Sequence, residues 1–514
     1  MEIAGRALGA GERIELVYGA GAAGAQVDRF AERAAPIPFA VDGDGDGTRG
    51  FLADPPTVDV AAGPPALLVA TLPSTARAGD AVTLRLAVLD ALGSAGAPAS
   101  GTIALAADGP LELPAALELP ADAGGVVAAP ARVRGEGVAR VRAEGPGGLR
   151  AESNPLRVAA DAPRLLWGDL HGHSHFSDGT GTPEDYFRYA RDVAGLDVAA
   201  LTDHDHWGTP FLDETPALWA RIEAATARFH EPGRFVTLLG YEWTSWLHGH
   251  RHVLWFADRG RIRSSLDEAT DDPAELWASL RGEPAFTFAH HSAGEPVATN
   301  WRFAPDPELE PVTEVVSVHG SSESPEGPVP VAGGIQGNFV RDVIARGARL
   351  GFVGSGDSHD GHPGLAQLAG RSGGLAALFA EQATREGVRE ALGARRCYAT
   401  NGPRILLEAE LGGRPMGSAL PPGERILRAR VTAPAPIAAV DLVRGTQAWA
   451  LRRFEPDAAP RELALEATVA LARGEAPYLR VVQVDGGAAW SSPWFVDAAD
   501  ARASAPAAGV PGAD

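Results

Sequence analysis

Cysteine and lysine are the residues that this sequence all but lacks. Cys397 is the single cysteine among 514 residues, so no disulfide can form within the chain, and every one of the 45 basic residues is an arginine. A chain without disulfides fits a reducing compartment. Met1 to Val17 also lack the basic head and apolar core of a secretory signal. We therefore predict a cytoplasmic location.

Positive charge and long apolar runs are scarce as well. The formal net charge is −21 at pH 7, and such a chain repels the phosphate backbone of a nucleic acid. No apolar stretch approaches the length of about 20 residues that a membrane-spanning helix needs. We therefore expect neither nucleic acid nor membrane as a partner. The expected partner is a small molecule, and the sequence leaves the oligomeric state open.

Histidines are present in groups. His171, His173 and His175 occupy alternate positions after the apolar stretch 165–167. Alternate residues of an extended chain point the same way, so two imidazoles can face one ion, with Gly172 keeping the space between them clear. Neutral imidazole is the commonest protein ligand of zinc and its neighbours. An isolated pair of this kind is as often a loop feature as a metal site.

The pattern of an apolar segment followed by His, Asp or Glu recurs further along the chain. It is found in the motifs TDHDH (202–206), GYEW (240–243), AHH (289–291), VHG (318–320) and GSGDSHDG (354–361). Helical stretches lie between several segments, and the first begins with Thr182 as N-cap and Pro183 at its first position and ends at Gly195. This order predicts an α/β fold whose parallel strands deliver ligands at their C-terminal ends.

These motifs, with HGHSHFSDG (171–179) as the first, resemble those of the PHP (polymerase and histidinol phosphatase) superfamily of metal-dependent hydrolases. The likeness extends from about Arg164 to Arg404. It implies a distorted (β/α)7 barrel that binds two or three divalent ions. Within the superfamily, YATNGPRI (398–405) and VVQVDGGAAWSSPWFV (481–496) are most similar to the carbaryl-hydrolase type of metallohydrolase, in which β-rich segments flank the barrel.

The resemblance also implies which residues bind the ions. The first ion is assigned to His171, His173, Glu242 and Asp357. Glu242 also reaches a second ion, which is held by His319 and by one of His290 and His291, between which the sequence does not decide. The third ion is assigned to Asp178, His204 and His359. A donor set rich in imidazole favours zinc, manganese or iron over magnesium or calcium.

Other side chains near the motifs are candidates for catalysis and substrate binding. We predict that Asp203 orients His204, a usual task of a carboxylate beside a metal histidine, and His175 is a third catalytic candidate. The candidates for substrate binding are Arg251, His250, Arg302 and His362, with Arg404 as a further group able to bind a phosphate. The alternating residues His248, His250 and His252 also fit a polar strand edge.

The regions on both sides of the motifs have a different composition. Residues 1–162 alternate short Val/Leu-rich runs, such as 81–88, with Pro and Gly clusters, which predicts an immunoglobulin-like β-sandwich. The barrel is expected over 163–403 and a second β-rich domain over 404–500. The Ala/Pro/Gly-rich tail 501–514 is predicted to be disordered.

Together the motifs predict a multinuclear metallohydrolase that cleaves a small-molecule ester by metal-bound hydroxide. A phosphoester is the first choice, because several cations in one pocket match an oxyanion-rich substrate. A carboxylic or carbamate ester is the alternative that the carbaryl-hydrolase resemblance implies. A binding protein with an inactive barrel is a further alternative, although the complete ligand set counts against it.

Overall fold

The computed structural model describes residues 9, 11–17, 19–22, 24–43, 46–52, 54–370 and 372–497. The tail 501–514, for which disorder is predicted, lies outside these residues. Within them, the chain is a mixed α/β protein rich in β-sheet. Its longest helix has 14 residues, and no helix of the described chain has both the length and the apolar composition needed to cross a bilayer.

The N-terminal part of the described chain is built from strands. They are β1 (Glu32–Pro36), β2 (Ala40–Val41), β3 (Gly50–Phe51), β4 (Thr57–Val60), β5 (Leu67–Thr71), β6 (Thr75–Ala76), β7 (Ala81–Leu89), β8 (Gly101–Asp108), β9 (Leu111–Glu112), β10 (Ala116–Leu119), β11 (Val126–Val133), β12 (Gly137–Glu144), β13 (Arg150–Glu152) and β14 (Leu156–Val158). One sheet has the order β10-β8-β12-β14-β6, with β13 beside β12, and a second has the order β5-β7-β11-β9. The strands β1 and β4 pair with each other, as do β2 and β3.

The two larger N-terminal sheets pack against each other around one apolar core. Leu84 and Leu86 of β7 lie in this core with Ile103 of β8 and Val141 of β12. Successive side chains of a strand point to opposite faces, so the alternating pattern of β7 turns its leucines toward the facing sheet. The assignment of these residues to a separate immunoglobulin-like domain stays a prediction.

The central part of the chain contains the helices. Its strands are β15 (Leu165–Asp169), β16 (Val198–Leu201), β17 (Val236–Trp243), β18 (Arg251–Trp255), β19 (Ala285–Ala289), β20 (Val312–Ser317), β21 (Gly320–Ser321), β22 (Gly351–Gly354), β23 (Leu375–Phe379) and β24 (Cys397–Thr400). Its helices are α1 (Pro183–Arg188), α2 (Pro216–Phe229), α3 (Pro273–Leu280), α4 (Val340–Ala345) and α5 (Arg385–Gly393). Helix α1 begins as predicted, because Thr182 Oγ1 accepts a hydrogen bond from the Asp185 N–H at 3.1 Å.

The strand directions of the central part agree with the prediction only in part. β15, β16 and β17 are parallel neighbours, but β18 runs antiparallel between β17 and β19, and β23 runs antiparallel to β15. β20 and β22 are parallel strands of a three-stranded sheet that also contains β21. In this sheet β20 contacts β19, and β22 contacts β23 and β24. These pairings establish a mixed α/β architecture and do not show a (β/α)7 barrel of alternating parallel strands and helices.

The C-terminal part of the described chain returns to strands. They are β25 (Leu406–Leu411), β26 (Arg414–Pro415), β27 (Ala419–Leu420), β28 (Gly423–Thr432), β29 (Ile437–Arg444), β30 (Gln447–Arg453), β31 (Glu462–Leu471), β32 (Tyr478–Gln483), β33 (Ala488–Ser491) and β34 (Phe495–Val496). β33 pairs with β24, so one sheet of 11 strands runs in the order β19-β18-β17-β16-β15-β23-β24-β33-β32-β29-β30. The chain after residue 404 therefore shares a sheet with the central part.

Candidate metal centre

The predicted ligands meet where the central strands end. His171 follows β15, His204 follows β16, and Glu242 lies near the end of β17. His290 and His319 follow β19 and β20, and Asp357 follows β22. Because β15, β16, β17 and β19 point the same way, their C-terminal ends deliver side chains to one place.

Backbone contacts hold the loops of this rim in register. Gly172 forms a parallel bridge with Ser358, and His204 forms one with Glu242. A Cβ on Gly172 would lie 2.5 Å from the Tyr186 hydroxyl oxygen. The space beside Gly172 is thus filled by the tyrosine, which corrects the expectation that this glycine keeps the space between two imidazoles clear.

Four donor atoms converge at the centre of the rim, and we call them the four-donor set. His171 Nε2 lies 3.2 Å from His173 Nε2, 3.3 Å from Glu242 Oε2 and 3.1 Å from Asp357 Oδ1. His173 Nε2 lies 3.4 Å from each of the same carboxylate oxygens. Corners of a tetrahedron with a central bond of about 2.0–2.1 Å are about 3.3–3.4 Å apart. The atoms of His171, His173 and Asp357 form one donor group with this spacing, which suits an ion of the size of zinc. Glu242 Oε2 contacts both imidazoles of this group.

The second oxygen of Glu242 faces another group of donors. Glu242 Oε1 lies 3.0 Å from His290 Nε2, 2.6 Å from His250 Nδ1 and 3.4 Å from His204 Nδ1. Since Oε2 belongs to the four-donor set and Oε1 to this group, Glu242 has the geometry of a carboxylate that bridges two cations. His250, a candidate for substrate binding in the sequence, is thus placed among the possible ligands.

A third group lies on the side of Asp178. Asp178 Oδ1 is 3.3 Å from His359 Nε2 and 3.5 Å from His204 Nε2. The His173 ring stacks on the rings of His204 and His359, with centroid distances of 4.5 Å and 4.2 Å. The ligand atoms of these four residues lie within 4.8 Å of one another, so the predicted third set is brought together, with His173 at its border with the four-donor set.

The buried donors fit a cation because the protein leaves several without a hydrogen-bond partner. These atoms are Oε2 of Glu242, Nε2 of His250, Nδ1 of His290, and both ring nitrogens of His252 and His291. An unpaired polar group in the interior is costly, whereas coordination of a metal satisfies it. The donors therefore suit cations, and the structure does not specify their number or identity.

The carboxylates at the centre are ionised, and two imidazoles are protonated when no ion is present. Burial alone would raise the pKa of Glu242 and Asp357, but the surrounding imidazoles hold both well below the usual range. Burial alone would lower the pKa of His171 and His173, but the neighbouring carboxylates raise the first well above its usual value and the second to about 10. The centre thus holds positive charge as protons, which a metal ion can replace.

Four other imidazoles of the centre are held in the neutral form. Burial lowers the pKa of His204 to about 4 and holds the pKa values of His252, His290 and His291 well below the usual value. A neutral imidazole is the form that binds a metal. These side chains are therefore ready to bind an ion without losing a proton.

Hydrogen bonds outside the donor groups orient two of the imidazoles. His171 Nδ1 lies 3.1 Å from Glu314 Oε2, which leaves Nε2 free for an ion. His204 Nδ1 lies 2.7 Å from Thr244 Oγ1, and this hydroxyl donates to the Glu242 carbonyl oxygen at 3.1 Å. Partners of this kind fix the ring orientation of metal-binding histidines. The sequence analysis missed Glu314, although a carboxylate inside the apolar strand β20 was a signal.

His252 is a second residue whose place the sequence analysis did not anticipate. Its Cα lies opposite that of Glu242 in the register of β17 and β18, and its ring centroid is 3.8 Å from that of His171. It forms a donor group with His171, Glu242 and His290. The alternation of His250 and His252 was visible in the sequence, and both side chains turn toward the centre.

Asp203 and His175 do not have the expected surroundings. Asp203 accepts hydrogen bonds from the Ser174 N–H, the Ser174 hydroxyl and the Ser177 hydroxyl, at 2.8, 2.7 and 2.7 Å. It therefore stabilises the loop after His173, and Thr244 takes the orienting role at His204. His175 is in none of the donor groups found among the described residues, and burial lowers its pKa to about 4.

The structure defines the partners of His319, His290 and His291 more precisely than the sequence could. His319 Nε2 lies 2.9 Å from Asp357 Oδ2, so its carboxylate partner is Asp357, where Glu242 was expected. Of the adjacent pair, His290 contacts Glu242, whereas His291 has its ring 5.1 Å from that of His319. His291 shares a donor group with His250 and His290.

The predicted substrate-binding arginines do not line the centre. Arg251 is fully buried, with Nε 3.0 Å from Glu310 Oε2. It lies between two histidines that face the centre, so strand alternation turns it to the opposite face. Arg404 donates to the Ala194 and Gly195 carbonyl oxygens at 2.9 Å each. Both arginines are therefore structural.

The other two candidates for substrate binding also lie outside the donor groups of the described chain. Arg302 is exposed, and its backbone N–H donates to Asn300 Oδ1 at 3.2 Å. His362 is buried, with Nδ1 3.2 Å from Asp360 Oδ2 and its ring edge to face with Phe30. His362 thus joins the N-terminal segment to the rim.

A protein-family model matches part of the chain. A model for proteins of unknown function, DUF3604, matches residues 209–326 and 365–413. These ranges contain Glu242, His250, His290 and His319 but neither His171 nor Asp357. The match covers less than half of the chain.

Two relatives from chlamydiae are similar over a longer region. An uncharacterized protein of Chlamydia pneumoniae is 31% identical over 377 residues, which cover 67% of this chain and 59% of the relative. An uncharacterized protein of Chlamydia trachomatis serovar D is 29% identical over 377 residues, with coverage of 67% and 59%. This chain thus spans less than two thirds of the length of the relatives.

A solved structure from Bacteroides vulgatus is described as a two-domain protein containing a predicted PHP-like metal-dependent phosphoesterase. Its match covers 65% of this chain and 92% of that chain, with 17% sequence identity and a TM-score of 0.34. A TM-score of this size supports no argument about the present chain. None of these descriptions names a carbaryl hydrolase, so that part of the resemblance gains no support from them.

Proposed function

We propose that this protein is a metal-dependent hydrolase that cleaves an ester bond of a small molecule. The observation that supports this proposal most is the spacing of 3.1–3.4 Å from His171 Nε2 and His173 Nε2 to each other and to the two carboxylate oxygens of the four-donor set. The second support is Glu242, whose two carboxylate oxygens face different donor groups. A structural metal site needs only one closed set of ligands, whereas adjoining groups suit catalysis by more than one cation.

The residues of the chain bind, orient and shield the reacting groups in this proposal. His171 and His173 present Nε2 to one cation, and Glu314 and Thr244 hold the rings of His171 and His204 in place. When bound, the cations would supply Lewis-acid chemistry and lower the pKa of a shared water. Glu242 would hold neighbouring cations through its two carboxylate oxygens.

We take a phosphoester as the substrate class. Its non-bridging oxygens concentrate negative charge, which several adjoining cations can neutralise. The arginines Arg251 and Arg404 are committed to Glu310 and to backbone carbonyls, so in this proposal the cations supply most of the positive charge. A carboxylic or carbamate ester needs fewer cations, and it is the alternative that the experiment must separate.

The test combines metal analysis with a substrate panel. The purified protein, expressed with supplements of zinc, manganese and iron, is analysed for metal and assayed with aryl phosphates, phosphodiesters, carboxylic esters and carbamates. Glu242→Gln is the diagnostic variant. Glu308→Gln is its matched control, because the Glu308 side chain is 79% exposed and pairs only with Arg281 among the recorded ion pairs of the described chain.

The expected result is transition metal in the wild type and turnover of phosphoesters. Glu242→Gln should lose metal and at least about a hundredfold in activity, while Glu308→Gln should keep both. Turnover of carbamates or carboxylic esters alone would replace the phosphoester assignment. Metal binding without turnover of any ester would favour a binding protein with an inactive centre.

A further inference from the structure

Exposed apolar side chains surround one side of the metal centre. They lie on the loops after β16, β17 and β18, and they are Trp207, Phe211, Trp246, Leu247 and Leu266. Each of the two tryptophans is 47% exposed. A cluster of exposed apolar side chains, unlike a single one, marks an interaction site, so we expect this group, which we call the apolar rim, to bind a partner.

The two tryptophans of the apolar rim are next to each other and next to the donors. Their ring centroids are 5.3 Å apart, with planes inclined at 51°. The Trp246 ring meets the His250 ring edge to face at 5.5 Å. His250 Nδ1 in turn lies 2.6 Å from Glu242 Oε1. A ring seated on Trp246 is therefore two contacts away from the bridging carboxylate.

Trp207 borders the other side of the centre. A Cβ on the next residue, Gly208, would lie 2.6 Å from the Phe176 carbonyl oxygen. The Trp207 loop thus packs directly on the loop that ends in Asp178, a donor of the third group. The pair of indoles therefore lies beside the segments that present donors of two different groups.

One buried carboxylate holds the loops of the apolar rim together. Asp205 Oδ1 accepts from the His206 N–H at 2.9 Å and from the Thr244 N–H at 3.2 Å. Asp205 Oδ2 accepts from the Ser265 N–H and the Ser265 hydroxyl, both at 2.7 Å. The loops that present Trp207, Trp246 and Leu266 are thus fixed to one point. Their exposure is a property of a preorganised surface, which is what a ligand site requires.

We propose that Trp207 and Trp246 form a subsite for an aromatic ring of the substrate, placed so that the attached ester bond reaches the metal centre. Aromatic rings pack with each other in inclined and offset arrangements, which two indoles at 51° can offer to a third ring. A sugar ring would need hydrogen-bond partners for its hydroxyls, whereas the flanking Phe211, Leu247 and Leu266 are apolar. This inference rests on the proposed function and adds the class of substrate, an aryl ester.

The first test measures binding, which needs no turnover. Equilibrium dialysis of the metal-loaded protein with 2-naphthol, cyclohexanol and methyl β-glucoside compares an aromatic ring, an aliphatic ring and a sugar. We expect 2-naphthol to bind most tightly. Trp207→Ala and Trp246→Ala should each weaken its binding about fivefold to tenfold. Trp449→Ala is the matched control, because Trp449 is 56% exposed on β30, away from the centre, and it should change nothing.

The outcomes separate this inference from the proposed function. Unchanged binding of 2-naphthol in both variants with normal metal content, or tighter binding of the glucoside than of 2-naphthol, would overturn the aromatic subsite. Loss of 2-naphthol binding in the variants supports the subsite even if no ester is turned over, in which case the proposed function fails alone. With an active enzyme, the variants should raise KM for 2-naphthyl phosphate about fivefold to tenfold with little change in kcat.

Discussion

Binding of the first zinc ion should release about two protons near neutral pH. Burial opposes the charged form of His171 and His173, but the carboxylates around them raise the pKa of the first well above its usual value and of the second to about 10. Both imidazoles therefore carry a proton before the ion arrives. Because an ion takes only the neutral form, each must lose its proton on binding.

The magnitude follows from this count. Two protons released per ion make the apparent association constant rise about a hundredfold for each pH unit, or about 2.7 kcal/mol. This dependence should hold between about pH 7 and pH 8, above the usual pKa of an imidazole and below the raised pKa of about 10 of His173. Affinity is gained as the pH rises and lost as it falls. Imidazoles that are already neutral, such as His290 and His291, add no protons.

Isothermal titration calorimetry of the ion-free protein in buffers of different ionisation enthalpy counts the protons directly. His173→Gln should reduce the count for the first ion to about one. Two results together would refute the assignment of protonated imidazoles to the four-donor set. They are a proton release near zero and a zinc affinity that does not change between about pH 7 and pH 8.

Three further outcomes are expected. Gly172→Ala forces a methyl group against the Tyr186 hydroxyl and should lower the free energy of unfolding by about 1–3 kcal/mol in urea titrations, with reduced metal content; normal values for both would show that the tyrosine can move aside. Glu314→Gln should weaken zinc binding about 10–100-fold in competition with a chelator while circular dichroism stays unchanged. Arg251→Ala leaves Glu310 buried without its partner and should cost about 3–5 kcal/mol in chemical denaturation, and a loss of substrate affinity without loss of stability would restore its predicted role in binding.

The convergence of the metal-binding candidates could be predicted, because it depends on short local sequence patterns. Short apolar segments followed by His, Asp or Glu mark the ends of buried strands. The structure brings His171, His173, Glu242 and Asp357 together in this way. The partner of His319 could not be predicted, since both carboxylates follow strands that end at the same rim.

The surroundings of Asp203 and Arg251 differ from the expected ones for one physical reason. Neighbours in an extended chain point to opposite faces, so Asp203 cannot face the same way as His204, and Arg251 cannot face the same way as His252. Both predictions assumed that a residue next to a metal-binding histidine in the sequence also lies next to it in space. Strict use of the alternation would have excluded both roles and favoured His252 as a donor.

The fold was predicted less completely than the centre. The reversed direction of β18 follows from the turn at 244–250, where Gly249 has a φ of 77° and a Cβ would lie 2.6 Å from the Thr299 Cα. A single glycine in a loop does not predict that the next strand runs in the opposite direction. The sequence therefore predicted parallel strands throughout, whereas in the structure β18 and β23 run antiparallel to their neighbours.

The pairing of β24 with β33 changes how the chain can be divided. Composition suggests a cut after residue 403, but the backbone groups of β24 that face β33 would then be left open. An uncovered strand edge is a template for pairing with other chains. A protein shortened there would tend to self-associate through this new strand edge, and its behaviour would not represent the central part alone. The segments that contain β24 and β33 should therefore be kept together in any shortened variant.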